Sequence, residues 1–188
     1  MSHTIRALDA DGFLDRRGEI VEVYRLAFAQ PPYYRTEVDA VAFSETLLRH
    51  VNREGFRSVI AVDDSSGRLD GFVYGYTSRP GQWWYDVVTR GLSPEFTEEW
   101  ITGSFEIVEL AVRPEAQGQK LGSGLHDTIL QGLPHHRAVL STMDAETVAV
   151  LLYRSRGWMR LIDNFQFPGV RRPYQIMGLD LNRMNSKQ

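Results

Sequence analysis

A chain of 188 residues with 43% apolar side chains is long enough to form one domain with an insertion around a buried core. Its net charge of -3 offers no basic surface for nucleic acid, and the absence of cysteine excludes disulfides, cysteine-ligated zinc and a thiol nucleophile. The polar N-terminus has no signal-peptide core, and no run of 18 apolar residues occurs, so we expect a cytoplasmic protein that does not bind membranes.

The first third of the chain predicts a strand at 3–9 followed by two helices. The first helix has its apolar stripe at 20–27 and ends before Pro31 and Pro32, and the second spans 38–52. Two β-rich segments at 58–62 and 71–77 then flank a turn at 63–67, which predicts a hairpin.

The second half alternates strands and helices. Residues 78–104 break the pattern and predict an insertion, partly helical, between the third and fourth strands. The remaining predicted elements are strands at 105–112, 138–141, 157–162 and 174–181, helices at 121–132 and 146–155, and a fraying polar tail at 182–188. The order β-α-α-β-β-insertion-β-α-β-α-β-β predicts an α/β fold with a mixed sheet, in one domain covering residues 1–188.

The most informative segment, residues 112–125, directly follows the fourth predicted strand and opens a helix. Glycines there let a ligand approach the backbone, and the free N–H groups of a first helical turn attract a pyrophosphate. A Walker A loop would need Lys before its Ser, but Gly122 precedes Ser123. A dinucleotide fingerprint beginning at Gly122 would need its third glycine at Asp127, so it fails too.

The segment resembles the acetyl-CoA loop of the GNAT superfamily of N-acetyltransferases, in which Val-x-Pro precedes Arg/Gln-x-x-Gly-x-Gly/Ala. Here Val112-x-Pro114 leads to Gln117-Gly118-Gln119-Lys120-Leu121-Gly122, then Ser123 and Gly124. Lys120 replaces the usual first glycine of the motif. It can still offer its backbone N–H if its φ is negative, and its ammonium can face a phosphate. A register starting at Gln119 restores both glycines but lengthens the spacer after Pro114, so we prefer the first.

A second motif extends the resemblance downstream. The family carries Asn-x-x-Ala-x-x-Leu-Tyr on a helix, followed after a few residues by Gly-Phe. The chain has Glu146, Ala149, Leu152 and Tyr153 at this spacing, followed by Gly157-Trp158. Glu146 in place of Asn removes the basis for a pantetheine contact at that position.

The resemblance implies a mixed, splayed sheet with acetyl-CoA bound near its fourth and fifth strands. Pantetheine contacts would be made by the strand backbone and phosphate contacts by the loop. The implied coenzyme-binding residues are Leu110, Ala111, Val112, Gln117, Gly118, Gln119, Lys120, Leu121, Gly122, Ser123 and Gly124. No metal is implied.

The chemistry requires an amine that attacks in its neutral form and a thiolate that leaves with a proton. With no cysteine, we expect direct attack in a ternary complex rather than an acyl-enzyme. Tyr153 is the implied acid beside the CoA sulfur. Glu106 and Glu109 are alternative bases; a regular strand points them to opposite faces, and a bulge could turn Glu109 inward. A water chain without either glutamate is a third alternative.

The acceptor is expected to be the amine of a small molecule or peptide. Tyr33 and Tyr34 lie where the family's first helices line the acceptor site, and Trp83 and Trp84 belong either to the core of the insertion or to the wall of that pocket. Members of the family often dimerise, so a homodimer remains open. The alternatives are an acyltransferase for a longer chain or an aminoglycoside-type acceptor, and a domain that binds acyl-CoA only as a sensor.

Overall fold

In the computed structural model, residues 2–182 are described, and they fold as two compact units. Of the described residues, the first unit contains 2–76 and 108–133, and the second contains 77–107 and 134–182. The chain passes from the second unit into the first within one strand, between Ile107 and Val108. Among the described residues, no helix is both long and apolar enough to cross a bilayer.

The first unit begins with strand β1 and three helices. Its elements are β1 (His3–Leu8), α1 (Ala10–Asp15), α2 (Arg17–Phe28), α3 (Glu37–His50), β2 (Arg57–Asp63), β3 (Leu69–Thr77, whose last residue belongs to the second unit), the end of β4 (Phe105–Val112) and α6 (Leu121–Leu130). Local sequence explains where two of these helices start. Asp9 accepts a hydrogen bond from the Gly12 N–H at the start of α1, and Thr36 forms a capping box with Asp39 at the start of α3.

The sheet of this unit is antiparallel from β1 through β2 to β3. β3 is buried along its whole length, as expected of an inner strand covered on both faces. One apolar cluster joins the sheet to α1, α2 and α3, and it includes Phe13, Leu47 and Phe72, which are fully buried. In this cluster Tyr24 of α2 stacks on Phe43 of α3 with ring centroids 4.0 Å apart, which fixes the two helices against each other.

The second unit contains the insertion and the C-terminal strands. Its elements are α4 (Trp83–Thr89), the short α5 (Pro94–Phe96), a π-helical turn (Thr97–Ile101), the start of β4, β5 (Arg137–Met143), α7 (Val148–Ser155), β6 (Met159–Phe165) and β7 (Tyr174–Asp180). β4 pairs in parallel with β5 through Phe105↔Ala138 and Glu106↔Val139. β7 pairs in antiparallel fashion with both β5 and β6, so the sheet is mixed.

The core of the second unit is formed by the insertion packed against these strands. It contains Trp84, Val88 and Ile101 from the insertion with Val139 of β5 and Ile176 of β7. Gly178 of β7 is needed for this packing because a Cβ there would lie 2.8 Å from the Trp100 ring. The insertion is therefore an integral part of this unit.

The structure confirms the predicted α/β class with a mixed sheet and helices, but it corrects several predicted elements. Helix α1 was not predicted, since its six residues are too few to show a periodicity. Helix α6 ends at Leu130 instead of 132, and α7 starts at Val148, after its N-cap Thr147. The insertion is mostly helical. The predicted fraying of the tail concerns residue 182 and residues 183–188, the latter lying outside the described part of the chain.

Candidate active site

The segment predicted to bind phosphate is an exposed loop between β4 and α6, and we call residues 113–120 the phosphate loop. It begins with a 3-10 turn, Pro114–Ala116, in which Ala116 is buried. The side-chain amide of Gln117 then donates to the Val112 carbonyl at 3.1 Å, which closes the turn onto the end of β4. Residues 117–120 are all exposed, so the tip of the loop faces solvent.

Two residues of the loop tip have left-handed backbone conformations. Gly118 has a φ of 78° and no atoms within 4 Å of where a Cβ would lie. Lys120 has a φ of 63°, so the condition of a negative φ stated for this position is not met. This conformation favours glycine and costs a side-chain-bearing residue about 1 kcal/mol or more. Lys120 thus occupies a backbone position of glycine type, which supports the motif register beginning at Gln117.

The phosphate loop leads into the N-terminus of α6. Lys120 is the N-cap residue and makes no side-chain capping bond, and no acidic residue occupies the first turn. The first i→i−4 bond runs from the Gly124 N–H to the Lys120 carbonyl at 3.0 Å. The N–H groups of Leu121, Gly122 and Ser123 precede it, and a helix leaves such groups for an external acceptor. This turn can bind an anion.

The other implied coenzyme-binding residues differ in their exposure. Ala111, Val112 and Leu121 are buried and Leu110 is half-buried, so each can offer a ligand only its backbone or part of a side chain. Gly122 and Ser123 are half-buried, and Gln119 is exposed.

Glu109 is half-buried on the part of β4 that belongs to the first unit. Burial raises the pKa of its carboxyl to about 8, although the positive charge of Arg35 acts in the opposite direction. Arg35 follows Tyr34 in the connection between α2 and α3, and its guanidinium lies 3.4 Å from Asp39. A carboxyl group with such a pKa can exchange a proton near neutral pH.

Glu106, the other predicted base, lies in the second unit. It is 3% exposed and stands opposite Val139 of β5 in the parallel register. The two glutamates thus differ in surroundings: Glu106 lies within the paired part of the strand, whereas Glu109 lies beyond the last described pair with β5.

Tyr153 lies near the end of α7 in the second unit. It is buried, and its ring lies 5.6 Å from that of Trp158, the residue that replaces the Phe of the family motif. Glu146, which replaces the motif's Asn, precedes the N-cap Thr147 and forms an ion pair with Arg154 at 2.5 Å. In this chain Glu146 therefore has a structural partner on the helix that follows it, α7.

The four aromatic residues predicted to line an acceptor site have different surroundings. In the first unit, Tyr33 packs edge-on against Phe28 at 4.8 Å, and Tyr34 is exposed with a φ of 53°. In the second unit, Trp83 is 58% exposed and stacks on Phe167, whereas Trp84 is buried and donates to the Ser141 hydroxyl. Trp84 thus belongs to the core, and Trp83 retains a free ring face.

Sequence reasoning missed a cluster of charged residues beside the phosphate loop. Asp70 of β3 is buried and lies 3.0 Å from His3, 2.7 Å from Arg68 and 3.9 Å from Arg113. The only sequence signal is an aspartate inside an apolar strand, which needs a partner when buried. His3, Asp63 and Asp70 also bring ligand-type atoms within 4.8 Å of one another, but the Asp63 carboxylate already accepts bonds from Ser65 and Ser66.

Known acetyltransferases resemble this chain in sequence and in fold. The chain is 31% identical to the GCN5-like protein acetyltransferase Rv2170 of Mycobacterium tuberculosis, over 77% of this chain and 87% of that protein. Its fold matches a GNAT-family acetyltransferase from Desulfovibrio desulfuricans with a TM-score of 0.67 at 14% identity, covering 96% and 99% of the two chains. A Salmonella typhimurium acetyltransferase solved with acetyl-CoA matches with a TM-score of 0.62 at 16% identity, covering 96% and 95%.

The sequence relative and the family model together place the chain in the acyltransferase class. The family model described as the acetyltransferase (GNAT) family matches residues 19–158. The chain therefore belongs to the GNAT family of acetyltransferases.

Proposed function

We propose that the protein is an acetyl-CoA-dependent N-acetyltransferase that transfers the acetyl group to a primary amine of a small molecule or peptide. The observation that carries the proposal is the exposed phosphate loop leading into the uncapped N-terminus of α6. Such a terminus binds anions through free N–H groups and the helix dipole. Because the chain belongs to the GNAT family, we propose that the bound anion is the pyrophosphate of CoA. The similar Salmonella protein was solved with acetyl-CoA.

Coenzyme binding would use the backbone of three segments. The N–H groups of Leu121, Gly122 and Ser123 would bind the pyrophosphate, together with amides of residues 117–120. The ammonium of Lys120 adds a positive charge at the same end of the helix. The β4 backbone at residues 110–112 would pair with pantetheine, and this contact requires no particular side chain.

In the reaction, an amine nitrogen forms a bond to the thioester carbonyl carbon and the carbon–sulfur bond then breaks. Glu109 would take the proton that the amine nitrogen must lose as its bond to the carbonyl carbon forms, and the Tyr153 hydroxyl would give its proton to the departing thiolate sulfur. The chain has no cysteine, so the acetyl group would pass directly to the amine in a ternary complex. A backbone N–H of β4 would stabilise the oxyanion.

Glu109 is the better of the two candidate bases. Its pKa of about 8 places deprotonation close to neutral pH, where a general base is most effective. Glu106 is almost completely buried, which restricts the approach of an acceptor. We therefore assign the base to Glu109 and leave Glu106 a role in the paired part of β4.

For the acceptor, the description of the mycobacterial relative as a protein acetyltransferase favours a peptide amine. The exposed Tyr34 and the half-buried Tyr33 of the first unit would contact the acceptor, and the exposed Trp83 of the second unit is a separate candidate for such a contact. We propose one N-acetyltransferase domain over residues 1–188, working in the cytoplasm without nucleic acid, membrane or metal, as a monomer or homodimer.

The first test is calorimetric titration with acetyl-CoA, with ATP and NADH as controls and octanoyl-CoA to probe chain length. We expect micromolar binding of acetyl-CoA and none of the controls; folded protein that does not bind acetyl-CoA would refute the proposal. Tyr153→Phe keeps the ring against Trp158 and removes only the hydroxyl. In an enzyme this variant should lose turnover, read as CoA release with a peptide amine, and keep its affinity. A sensor domain would show no turnover in the wild type.

A further inference from the structure

We propose that Asp70 is a positioning residue for coenzyme binding: through Arg113 it fixes the start of the phosphate loop and so sets the affinity for the pyrophosphate of acetyl-CoA. This inference rests on the proposed function. It assigns a role to the charged cluster of His3, Arg68, Asp70, Arg113 and Glu115, none of which we expect to contact substrate.

The first step is the buried charge of Asp70. Its side chain is 1% exposed, and a carboxylate is stable there only with hydrogen-bonding partners. One oxygen lies 3.0 Å from His3 Nε2 on β1, and the other accepts from Arg68 Nε at 2.7 Å. Burial pushes the pKa of Asp70 upward, but the bonds from Arg68 and His3 outweigh it and hold the pKa below its usual range. Asp70 is therefore ionised at neutral pH.

The second step is the attachment of Arg113, the first residue after β4. Its backbone N–H donates to the Asp70 carbonyl at 2.8 Å, and its Nε donates to the Leu69 carbonyl at 2.9 Å. The same Nε lies 3.9 Å from the Asp70 carboxylate. The Arg113 side chain is only 11% exposed, which is low for an arginine. The buried charge of Asp70 balances that of Arg113 and holds the loop entrance against β3.

Glu115 extends this attachment into the 3-10 turn. Its carboxylate lies 3.5 Å from Arg68 and 3.9 Å from Arg113. After the loop, Leu125 of α6 packs against Gly71 of β3, where a Cβ would lie 3.0 Å from the leucine side chain. Val112, which directly precedes the loop, packs against the same glycine, and the Cβ would lie 3.2 Å from it. The exposed tip at 117–120 is thus held between two fixed ends. Such preorganisation lowers the entropy lost when a ligand binds.

A metal site at His3, Asp63 and Asp70 fits these contacts less well. The Asp70 carboxylate already faces two guanidinium groups, Arg68 and Arg113, and a cation would be repelled by both. The cluster connects β1 and β3 to the phosphate loop, which is the geometry of a positioning network.

The test compares two acetyl donors, acetyl-CoA and S-acetylpantetheine, since only acetyl-CoA carries a pyrophosphate. Asp70→Asn and Arg113→Gln should each bind acetyl-CoA at least about tenfold more weakly, a change of roughly 1.4 kcal/mol. Both variants should bind S-acetylpantetheine, which lacks the pyrophosphate, as the wild type does by ligand-observed NMR. The double variant should lose less than the product of the two single losses, because both act through one contact.

Arg49→Gln is the matched control. Arg49 donates to the Thr46 hydroxyl on its own helix α3, so its acetyl-CoA affinity should not change. Equal losses for both donors, or unchanged acetyl-CoA affinity in folded variants, would overturn the inference. If Asp70→Asn does not fold, Arg113→Gln decides by the same comparison. Failure of the wild type to bind acetyl-CoA would instead refute the proposed function.

Discussion

Gly124 of α6 lies so close to Ile5 of β1 that a Cβ on the glycine would be 2.4 Å from Ile5 Cδ1. A side chain there would require the Ile5 Cδ1 methyl, at the end of a flexible side chain, to move aside. Gly124 therefore packs against β1, although it also falls within the sequence motif interpreted as coenzyme-binding. The position of α6 on β1 in turn sets the direction of the N–H groups at the helix N-terminus.

Replacing Gly124 with Ala should change the free energy of unfolding by less than about 1 kcal/mol, because Ile5 can adopt another rotamer and Ala favours the helix. Gly118→Ala is the comparison and should lose about 1 kcal/mol, because no atom lies within 4 Å of its Cβ position and only its φ of 78° opposes the change. Urea denaturation measures both. A loss of more than about 1 kcal/mol in Gly124→Ala would mean that Ile5 cannot move aside and that the site is overpacked.

We expect Lys120 to lower the stability of the folded protein and to raise its affinity for acetyl-CoA. In Lys120→Gly the left-handed φ of 63° is no longer strained, so this variant should be about 1 kcal/mol more stable than Lys120→Ala, which keeps a Cβ. Both variants lack the ammonium, so both should bind acetyl-CoA more weakly and with a smaller salt dependence than the wild type. Titrations at two ionic strengths check this, and unchanged affinity in both would remove Lys120 from the coenzyme site.

Glu109→Gln should lower activity about 10²–10⁴-fold, the usual contribution of a general base. The wild-type kcat/KM should rise with pH through an apparent pKa of about 8, and this limb should disappear in the variant. Glu106→Gln is the matched control and should retain the limb. Loss of the limb only in Glu106→Gln would transfer the role of base to that residue.

The same raised pKa predicts a stability effect with a definite sign. The folded state keeps the Glu109 proton up to about pH 8, whereas the unfolded chain releases it near pH 4.3, so stability falls as pH rises between these values. Glu109→Gln removes this loss. Its midpoint of thermal unfolding should exceed that of the wild type at pH 7–8, and the difference should vanish near pH 4. A difference that does not change with pH would mean that the carboxyl titrates normally.

Arg35 should lower the pKa of the proposed base, Glu109. Its positive charge opposes the effect of burial on Glu109, so Arg35→Gln should raise the pKa of Glu109 above about 8. The rising limb of kcat/KM should shift to higher pH in this variant. Arg49→Gln, which removes an arginine bonded to Thr46 on α3, should leave the limb unchanged. An unshifted limb in Arg35→Gln would show that the two groups do not interact.

The sequence alone determined the fold class and the phosphate loop. The mainly apolar segment at 105–112 predicted β4 at its observed bounds, because a buried strand is built from apolar residues that are neighbours in the sequence. The motif from Val112 to Gly124 predicted an anion-binding turn, because a helix N-terminus needs only local backbone geometry. Family membership followed from the same residues.

Only the tertiary structure decided how these parts are held. The pairing of Asp70 with Arg113 joins residues 43 positions apart, and no local pattern encodes such a contact. The left-handed φ of Lys120 and the close packing of Gly124 on Ile5 likewise depend on where the chain returns in space. The raised pKa of Glu109 arises from the atoms that surround its carboxyl, and distant segments supply those atoms when the chain folds.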